Sequence, residues 1–457
     1  MPRPVLALLL LWVSGAAFAA ESTAPWRELL LERTELAESA NALVRLRPLY
    51  EAWTPPDPQL AEELTALSSP VSAASPGPSL LAWLGNATDS IAQARFNPGE
   101  FIQLPRIHGP ETPFPDHQPL RQLATVRIAL IKTCWFMGES TAALDLALEN
   151  LALSRALLVS QEGIVPLLNA TRIWQLSLDG IYWLARQPDL TASQATRLQL
   201  ALLRDERLAS DALVRAFRGE FTFFTHLVVD RLPRTRDVEL LLSGISSLGM
   251  APPVPPADGE PRLSIPPAGR EPFDREATLQ SAAADVRGWT AAFAATDRHP
   301  RDLNDRHTRR HLQAHAAEIP ALLRYASDDT PVTHAQIATI DAEIASIENP
   351  VGKLFLIITT SNWEPLSVHV YHREAQSRAL TGLLAWRRFG KPAAWKDLVT
   401  AGLLPAAPAD PFSNQSLRLE LTPPRIWSLG ANGIDDGGAG DGDNVGRPAD
   451  FTWPAGL

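Results

Sequence analysis

The chain has 457 residues, 45% of them hydrophobic and 20% charged, with a formal net charge of −10. That apolar share excludes general disorder, and the acidic balance argues against nucleic-acid binding, which is driven by a basic surface. A single cysteine, Cys134, excludes an internal disulfide.

Residues 1–19 read as a secretory signal peptide. Arg3 supplies the positive end, Val5 to Val13 is an apolar run, and Ala17-Phe18-Ala19 places small residues at −3 and −1, so cleavage is expected after Ala19. No Cys follows the run, which excludes a lipoprotein anchor. No later apolar stretch approaches the ~20 residues of a membrane span. The expected product is exported, to the periplasm or the extracellular space, with no transmembrane span after cleavage.

After the signal, Leu29, Leu30, Leu31, Leu36, Leu43 and Leu46 predict one helix from Trp26 to about Tyr50, ended by Pro55, Pro56 and Pro58. Further helices are expected over 60–67 and 80–94, with a loop at 68–78 and an extended Pro-rich stretch at 96–118. The clearest periodicity lies in 119–230. Leu123, Val126, Leu130, Ile131 and Cys134 step by three and four, Gly138 breaks the helix, and Ser140 is placed to cap the next. Cys134 reads as a small buried apolar residue. Leu144, Leu148, Leu151 and Leu158 repeat the period. This hairpin, with Ala142, Ala143 and Ala147 packing close, is similar to one tetratricopeptide repeat, without tandem copies. A helix over about 166–186 is apolar on most faces and is expected to be buried between others. Thr191 and Gln194 have capping-box spacing, and a long helix is expected over 207–229. Its interruption by Arg218-Gly219-Glu220 reads as a close helix crossing, because Gly inside a helix costs ~1 kcal/mol and is kept mostly for approach.

Eight prolines in 251–273 mark a linker. Helices are expected again over 275–297, 301–325 and 334–346. In the second of these His307, His311 and His315 share a face with Glu318 following. Arg301, Arg306, Arg309 and Arg310 would repel a metal there, and Thr308 stands where the His-Glu-x-x-His motif needs its general base, so a solvated face is the reading. Gly244-Ile245-Ser246-Ser247-Leu248 lacks the second glycine of a nucleophile elbow. No phosphate-cradling loop is present, and no spacing singles out an acid/base pair of carboxylates.

The C-terminal part has a helix over about 365–388, a short one at 395–403, the turn Asp410-Pro411-Phe412 and a strand over 425–429. Positions 430–444 then hold six Gly and four Asp. Gly permits turns that aim carbonyls inward, and Asp and Asn supply the oxygens that Ca²⁺ prefers. Without an ion Asp435, Asp436, Asp441 and Asp443 would repel one another, so composition leaves two readings, a disordered acidic tail and a loop that wraps calcium. The candidate metal ligands Asn432, Asp435, Asp441, Asp443 and Asn444 are the set that the second reading takes together with the family resemblance that follows. No catalytic or cofactor-binding residues are assigned.

Residues 365–446 resemble the end of the major pseudopilin of type II secretion systems. Asp410-Pro411-Phe412 matches that family's Asp-Pro-aromatic turn, Trp427-Ser428-Leu429-Gly430-Ala431-Asn432-Gly433 its strand end, and Gly437-Gly438-Ala439-Gly440-Asp441 its calcium loop. Asn432 stands where the family has Asp, and Asn444 near its final Asp. The pseudopilin transmembrane helix is missing. The whole arrangement also resembles uncharacterised exported helical proteins of Planctomycetes and Verrucomicrobia, on the step Asn349-Pro350-Val351-Gly352. The resemblance implies a small α+β module closed by a structural calcium ion.

The expected fold is mostly α: helical hairpins in an irregular array, weakly tetratricopeptide-like, with a small pseudopilin-like α+β module. The expected divisions are a signal at 1–19, helical domain at 20–250, linker at 251–273, helical segment at 274–348 and C-terminal module at 349–457. The expected function is a non-enzymatic scaffold or interaction protein of the bacterial cell envelope with protein partners there. The alternatives are an envelope hydrolase with its site between helices and an accessory factor of a pilus-like secretion system.

Overall fold

The computed structural model describes residues 25–32, 35–51, 56–104 and 118–229 with short gaps in the last two, 273–294, a few positions from 347 to 356, 363–438 except Asn432, and 451–454. The signal peptide, the Pro-rich linker up to residue 272, the helices expected at 301–325 and 334–346, and the histidine row lie outside the described residues.

The described chain is mostly helical, with a small antiparallel sheet near its end. It opens on a 3-10 turn, Pro25–Leu29, and a second at Glu38–Ala40. Only then does α1 begin, Ala42–Glu51. The single helix expected over 26–50 is therefore broken, and tertiary partners account for it. The carbonyls of Glu28, Leu29 and Leu30 accept from the Arg218 guanidinium. The Asn41 side chain accepts from Leu43 N and Gln103 N and donates to Gln103 O, so it starts α1 and stitches it to the strand-like stretch at 101–104. These bonds outweigh the weak preference that the leucine spacing carries.

Two helices follow, α2 (Pro58–Ser68), begun by Asp57 as N-cap with Pro at its first turn, and α3 (Pro78–Gln93). The periodic region forms α4 (Gln118–Phe136), α5 (Ser140–Ser160) and α6 (Ile164–Ala185), three mutually packed helices. Gly138 takes the left-handed conformation, φ 81°, at the α4–α5 turn. Ser140 does not cap α5. Its hydroxyl instead accepts from the Gln194 side chain at 3.0 Å. That side chain also closes the Thr191 capping box at the start of α7, Ala192–Leu202. Buried as its composition requires, α6 carries Ile173, Trp174, Leu178, Ile181 and Leu184 fully out of solvent.

Next come α8 (Leu208–His226), α9 (Arg275–Ala294), α10 (Trp363–Phe389) and α11 (Trp395–Thr400). α9 packs along α8, and α10 lies across α6 and α7. One aromatic chain crosses these layers. Phe217 of α8 meets Trp289 and Phe293 of α9 at 5.8 and 5.2 Å, Phe293 meets Tyr371 of α10 at 6.2 Å, and Tyr371 meets Phe412 at 6.3 Å. Among the described residues, no helix is long and apolar enough to cross a membrane.

The expected strand appears as β2, Pro424–Ser428, flanked by β1 (Arg418–Leu421) and β3 (Phe451–Pro454) in an antiparallel sheet of order β1-β2-β3. Trp427 stands opposite Arg418 on one side and Thr452 on the other. The sheet sits against α10, where Gly382 admits Trp395: a Cβ at Gly382 would lie 2.6 Å from the Trp395 ring. Trp395 stacks on Trp386 at 6.0 Å and donates its indole N–H to Leu417 O at 2.7 Å.

Candidate functional site

The segment Asp410-Pro411-Phe412 and the end of β2 are joined through one carboxylate. Asp410 is buried and accepts four hydrogen bonds. Oδ1 takes Phe412 N at 3.0 Å and Ser428 Oγ at 2.8 Å; Oδ2 takes Leu429 N at 3.0 Å and Ser413 Oγ at 3.2 Å. The Asp410 carbonyl also accepts from Asn414 N at 2.8 Å, which closes the turn. A buried carboxylate is tolerable when its lone pairs are filled by charge-assisted bonds. The turn and the strand end, separate motifs in the sequence, are thus one constellation in space.

Of the five expected metal ligands, Asn432, Asp441, Asp443 and Asn444 lie outside the described residues. Asp435 is described, and its oxygens are engaged by the protein. Oδ1 accepts from the Trp427 indole and from Gly437 N, both at 3.1 Å, and Oδ2 faces Arg418 Nε at 3.3 Å. Arg418 competes with any cation for Oδ2 of Asp435. Gly430, Gly433, Gly437 and Gly438 all have φ between 63° and 70°, the left-handed turns expected of this loop. Among the described residues, no three His, Cys, Asp or Glu side chains converge as a metal site. The chain matches no protein-family model, no curated protein and no solved structure.

A second set of polar groups lies in the seam between α4, α6 and α10. Lys132 is fully buried and donates to Ser69 O at 2.7 Å and Ser72 O at 3.1 Å, with its ammonium 5.3 Å from the centre of the Trp183 ring. Trp183 donates to the same Ser72 carbonyl at 3.1 Å, so the two side chains hold the 69–72 loop against the bundle. Asp179, one helical turn before Trp183, accepts from Gln376 Nε2 of α10 at 2.9 Å. Burial pushes the Asp179 carboxyl above the usual carboxylate range, opposed by Gln376, Arg373, Arg172 and Lys132. Burial also pushes Lys132 down to about 8, with Asp179 opposing. Cys134, on the same helix, is half-buried, and burial raises its thiol, which leaves little thiolate.

The Lys132 shift has a definite sign. A lowered pKa means that the fold binds this proton less tightly than the unfolded chain does. Stability contributed by this group therefore rises with pH from about 8 towards the ordinary lysine value, by at most ~1.4 kcal/mol per pH unit for one proton. The stability difference between the native chain and Lys132→Met should grow in favour of the native chain between pH 7.5 and 9.5. Urea unfolding at closely spaced pH values measures it, and a flat difference contradicts the shift.

The triplet Arg218-Gly219-Glu220 joins three segments. Arg218 takes the three carbonyls of the N-terminal turn. Gly219 lets the start of α6 approach, since a Cβ there would lie 2.8 Å from Glu162 C and Gly163 N. Glu220 accepts from Ile164 N, the first amide of α6, at 3.1 Å, where a carboxylate also meets the positive end of the helix dipole. Burial raises the Glu220 carboxyl. The close crossing expected from Gly219 is present, between α8 and the entry to α6. Sequence reasoning missed Lys132 and Asp179 as a pair. The signal was a lysine inside the apolar run Leu130-Ile131-Lys132, whose partner 47 positions later carries no recognisable spacing.

Proposed function

We propose that the chain is an exported, non-enzymatic scaffold or interaction protein of the bacterial cell envelope, and that its Gly/Asp-rich C-terminal loop takes calcium as a structural ion. One observation supports this reading best. Three interior charged groups are committed to backbone atoms, Asp410 to two amides, Lys132 to two carbonyls and Glu220 to a helix N-terminus, while Asp179 is held by the Gln376 side chain. A general acid or base needs its proton within hydrogen-bond reach of a substrate, and these groups are bonded to the protein instead. A calcium ion bound only by the folded tail would stabilise it by mass action. With Asp435 held by Arg418, Asp441 and Asp443 become the principal carboxylate ligands of this proposal.

Calorimetric titration and a thermal melt of residues 20–457 with calcium, against a chelated control, test the ion. The expected result is about one equivalent bound and a raised melting temperature, with both effects lost in the Asp441→Ala, Asp443→Ala double variant. No binding at millimolar calcium removes the ion from the reading. Cross-linking in intact cells tests the scaffold: a discrete adduct with a protein of the envelope supports it, and uncross-linked monomer alone opposes it.

A further inference from the structure

The segment Pro25–Leu31 lies across α8 and α9, and the bonds that hold it run mainly to its backbone. Arg218 donates Nε to Leu29 O at 3.1 Å and Nη2 to Glu28 O at 2.8 Å and Leu30 O at 3.1 Å. Arg287 of α9 donates Nη2 to Pro25 O at 2.6 Å. Thr222 Oγ1 accepts from Leu31 N at 2.8 Å. Two side chains add selectivity. Trp26 is buried with its ring 6.5 Å from Phe221, edge to face, and its indole N–H points to Glu276 Oε2 at 3.4 Å. Glu28 pairs with Arg287 Nε at 3.0 Å.

This is how a groove reads a peptide. The carbonyls at the end of a short turn have no partner within the turn and carry its negative pole. A planar guanidinium matches several of them at once. The aromatic residue fills a pocket and fixes the register, as anchors do in protein interfaces. The groups that make these bonds to the segment, Arg218, Thr222, Glu276 and Arg287, all lie on α8 and α9. The chain then leaves through a short connection. Leu36 N is already fixed to Gln103 Oε1 at 2.7 Å, and the four Cα-to-Cα steps from Glu32 to Leu36 reach no more than ~14 Å. A compact element on a short hinge is the arrangement that exchanges between copies at low cost.

We propose that the groove between α8 and α9 is a peptide-recognition site, filled within the chain by its own Pro25–Leu31 and able to take the same segment from a second copy. The ligand class is a short turn carrying Trp, then Glu two positions on, then Leu, read through consecutive carbonyls. Held in cis, the segment has a high effective concentration and excludes competitors. Detached, it becomes a ligand, and the groove becomes a receptor. The proposal stands on the groove alone, whatever the C-terminal loop binds.

The test uses the full chain, with a protease site replacing Arg33-Thr34-Glu35 and cleavage performed after folding. The probe is a fluorescent synthetic peptide of residues 22–32. The expected result is that the cut segment stays with the protein through gel filtration and exchanges for the labelled peptide with saturable binding. Adding Arg218→Ala or Arg287→Ala to the cut protein should weaken that binding at least tenfold, as should Trp26→Ala in the peptide. The uncut chain at high concentration should show a dimer fraction that excess free peptide abolishes. Unfolding on cleavage makes the segment an integral part of the core and overturns the proposal. So does a folded, cut protein that binds no peptide at 1 mM, or binding indifferent to Arg218 and Arg287. A chain that stays monomeric at every concentration overturns the second-copy occupant.

Discussion

Replacing Gly219 with alanine should destabilise the fold by about 2 kcal/mol, although the same change in an ordinary helix stabilises it. Two effects of opposite sign compete. Inside a helix, alanine gains ~1 kcal/mol over glycine. Here the new Cβ would sit 2.8 Å from Glu162 C and Gly163 N and 2.9 Å from Glu162 Cα. Those are backbone atoms at the entry to α6, and they cannot swing aside as the tip of a side chain can. Overpacking of this kind costs ~3 kcal/mol when the helix must move, so the clash outweighs the propensity. The displacement would also pull Glu220 from Ile164 N, because Glu220 is the next residue on α8. Gly85 of α3 is the internal control: it is exposed, and a Cβ there meets nothing within 4 Å. Gly85→Ala should therefore gain about 0.5–1 kcal/mol. Urea unfolding of both variants measures the pair, and a stabilised Gly219→Ala would show that the crossing yields.

The same residue shows what the sequence could carry. A glycine in the middle of an apolar-periodic helix has a propensity cost visible without any structure, and close approach is its usual compensation. The helices α4 and α5 were legible for a similar reason, since they write the 3.6-residue period into their apolar residues, and α6 was legible because it is apolar on most faces and buried between its neighbours. So was the Thr191 cap, whose two partners lie three residues apart. The N-terminal turn was not. Leu29, Leu30, Leu31 and Leu36 satisfy the helical period, but the backbone there is held by Arg218 and Thr222, some 190 residues away, and local pattern contains no trace of them. Ser140 failed in the same way: its hydroxyl had a better partner in Gln194. The strands β1 and β3 are short, and β3 follows the Gly/Asp-rich positions with little alternation to mark it. At the candidate site, the residues of the turn and the strand end were visible as motifs. Their connection was not, because Ser428 and Leu429 reach Asp410 only once the chain has folded back on itself. Asp435 was legible as an oxygen donor, while its engagement by Arg418 depends on strand register.

Asp410→Ala should be the most damaging single change in the C-terminal module, at about 3–5 kcal/mol. The substitution leaves Phe412 N, Leu429 N and the Ser428 hydroxyl without their acceptor in a buried place. Each orphaned donor costs ~1–3 kcal/mol, since water cannot replace the lost bond. Phe412 is itself fully buried and packs on Tyr371, so loosening the turn also releases an aromatic contact with α10. Asparagine does not rescue the site. Each carboxylate oxygen accepts one backbone N–H, from Phe412 on Oδ1 and from Leu429 on Oδ2. Whichever way the amide is turned, its NH₂ group meets one of those donors, and donor opposes donor. Asp410→Asn should therefore cost ~1–3 kcal/mol, more than an isosteric change at the surface. Hydrogen exchange locates the effect: in Asp410→Ala both the Leu429 and Phe412 amides should lose protection, and in Asp410→Asn the one that faces the NH₂ group, while amides within α6 keep theirs. If Asp410→Ala costs under ~1 kcal/mol and Leu429 stays protected, the carboxylate does not join the turn to the strand, and the packing of Phe412 and Trp395 against α10 must hold the module instead.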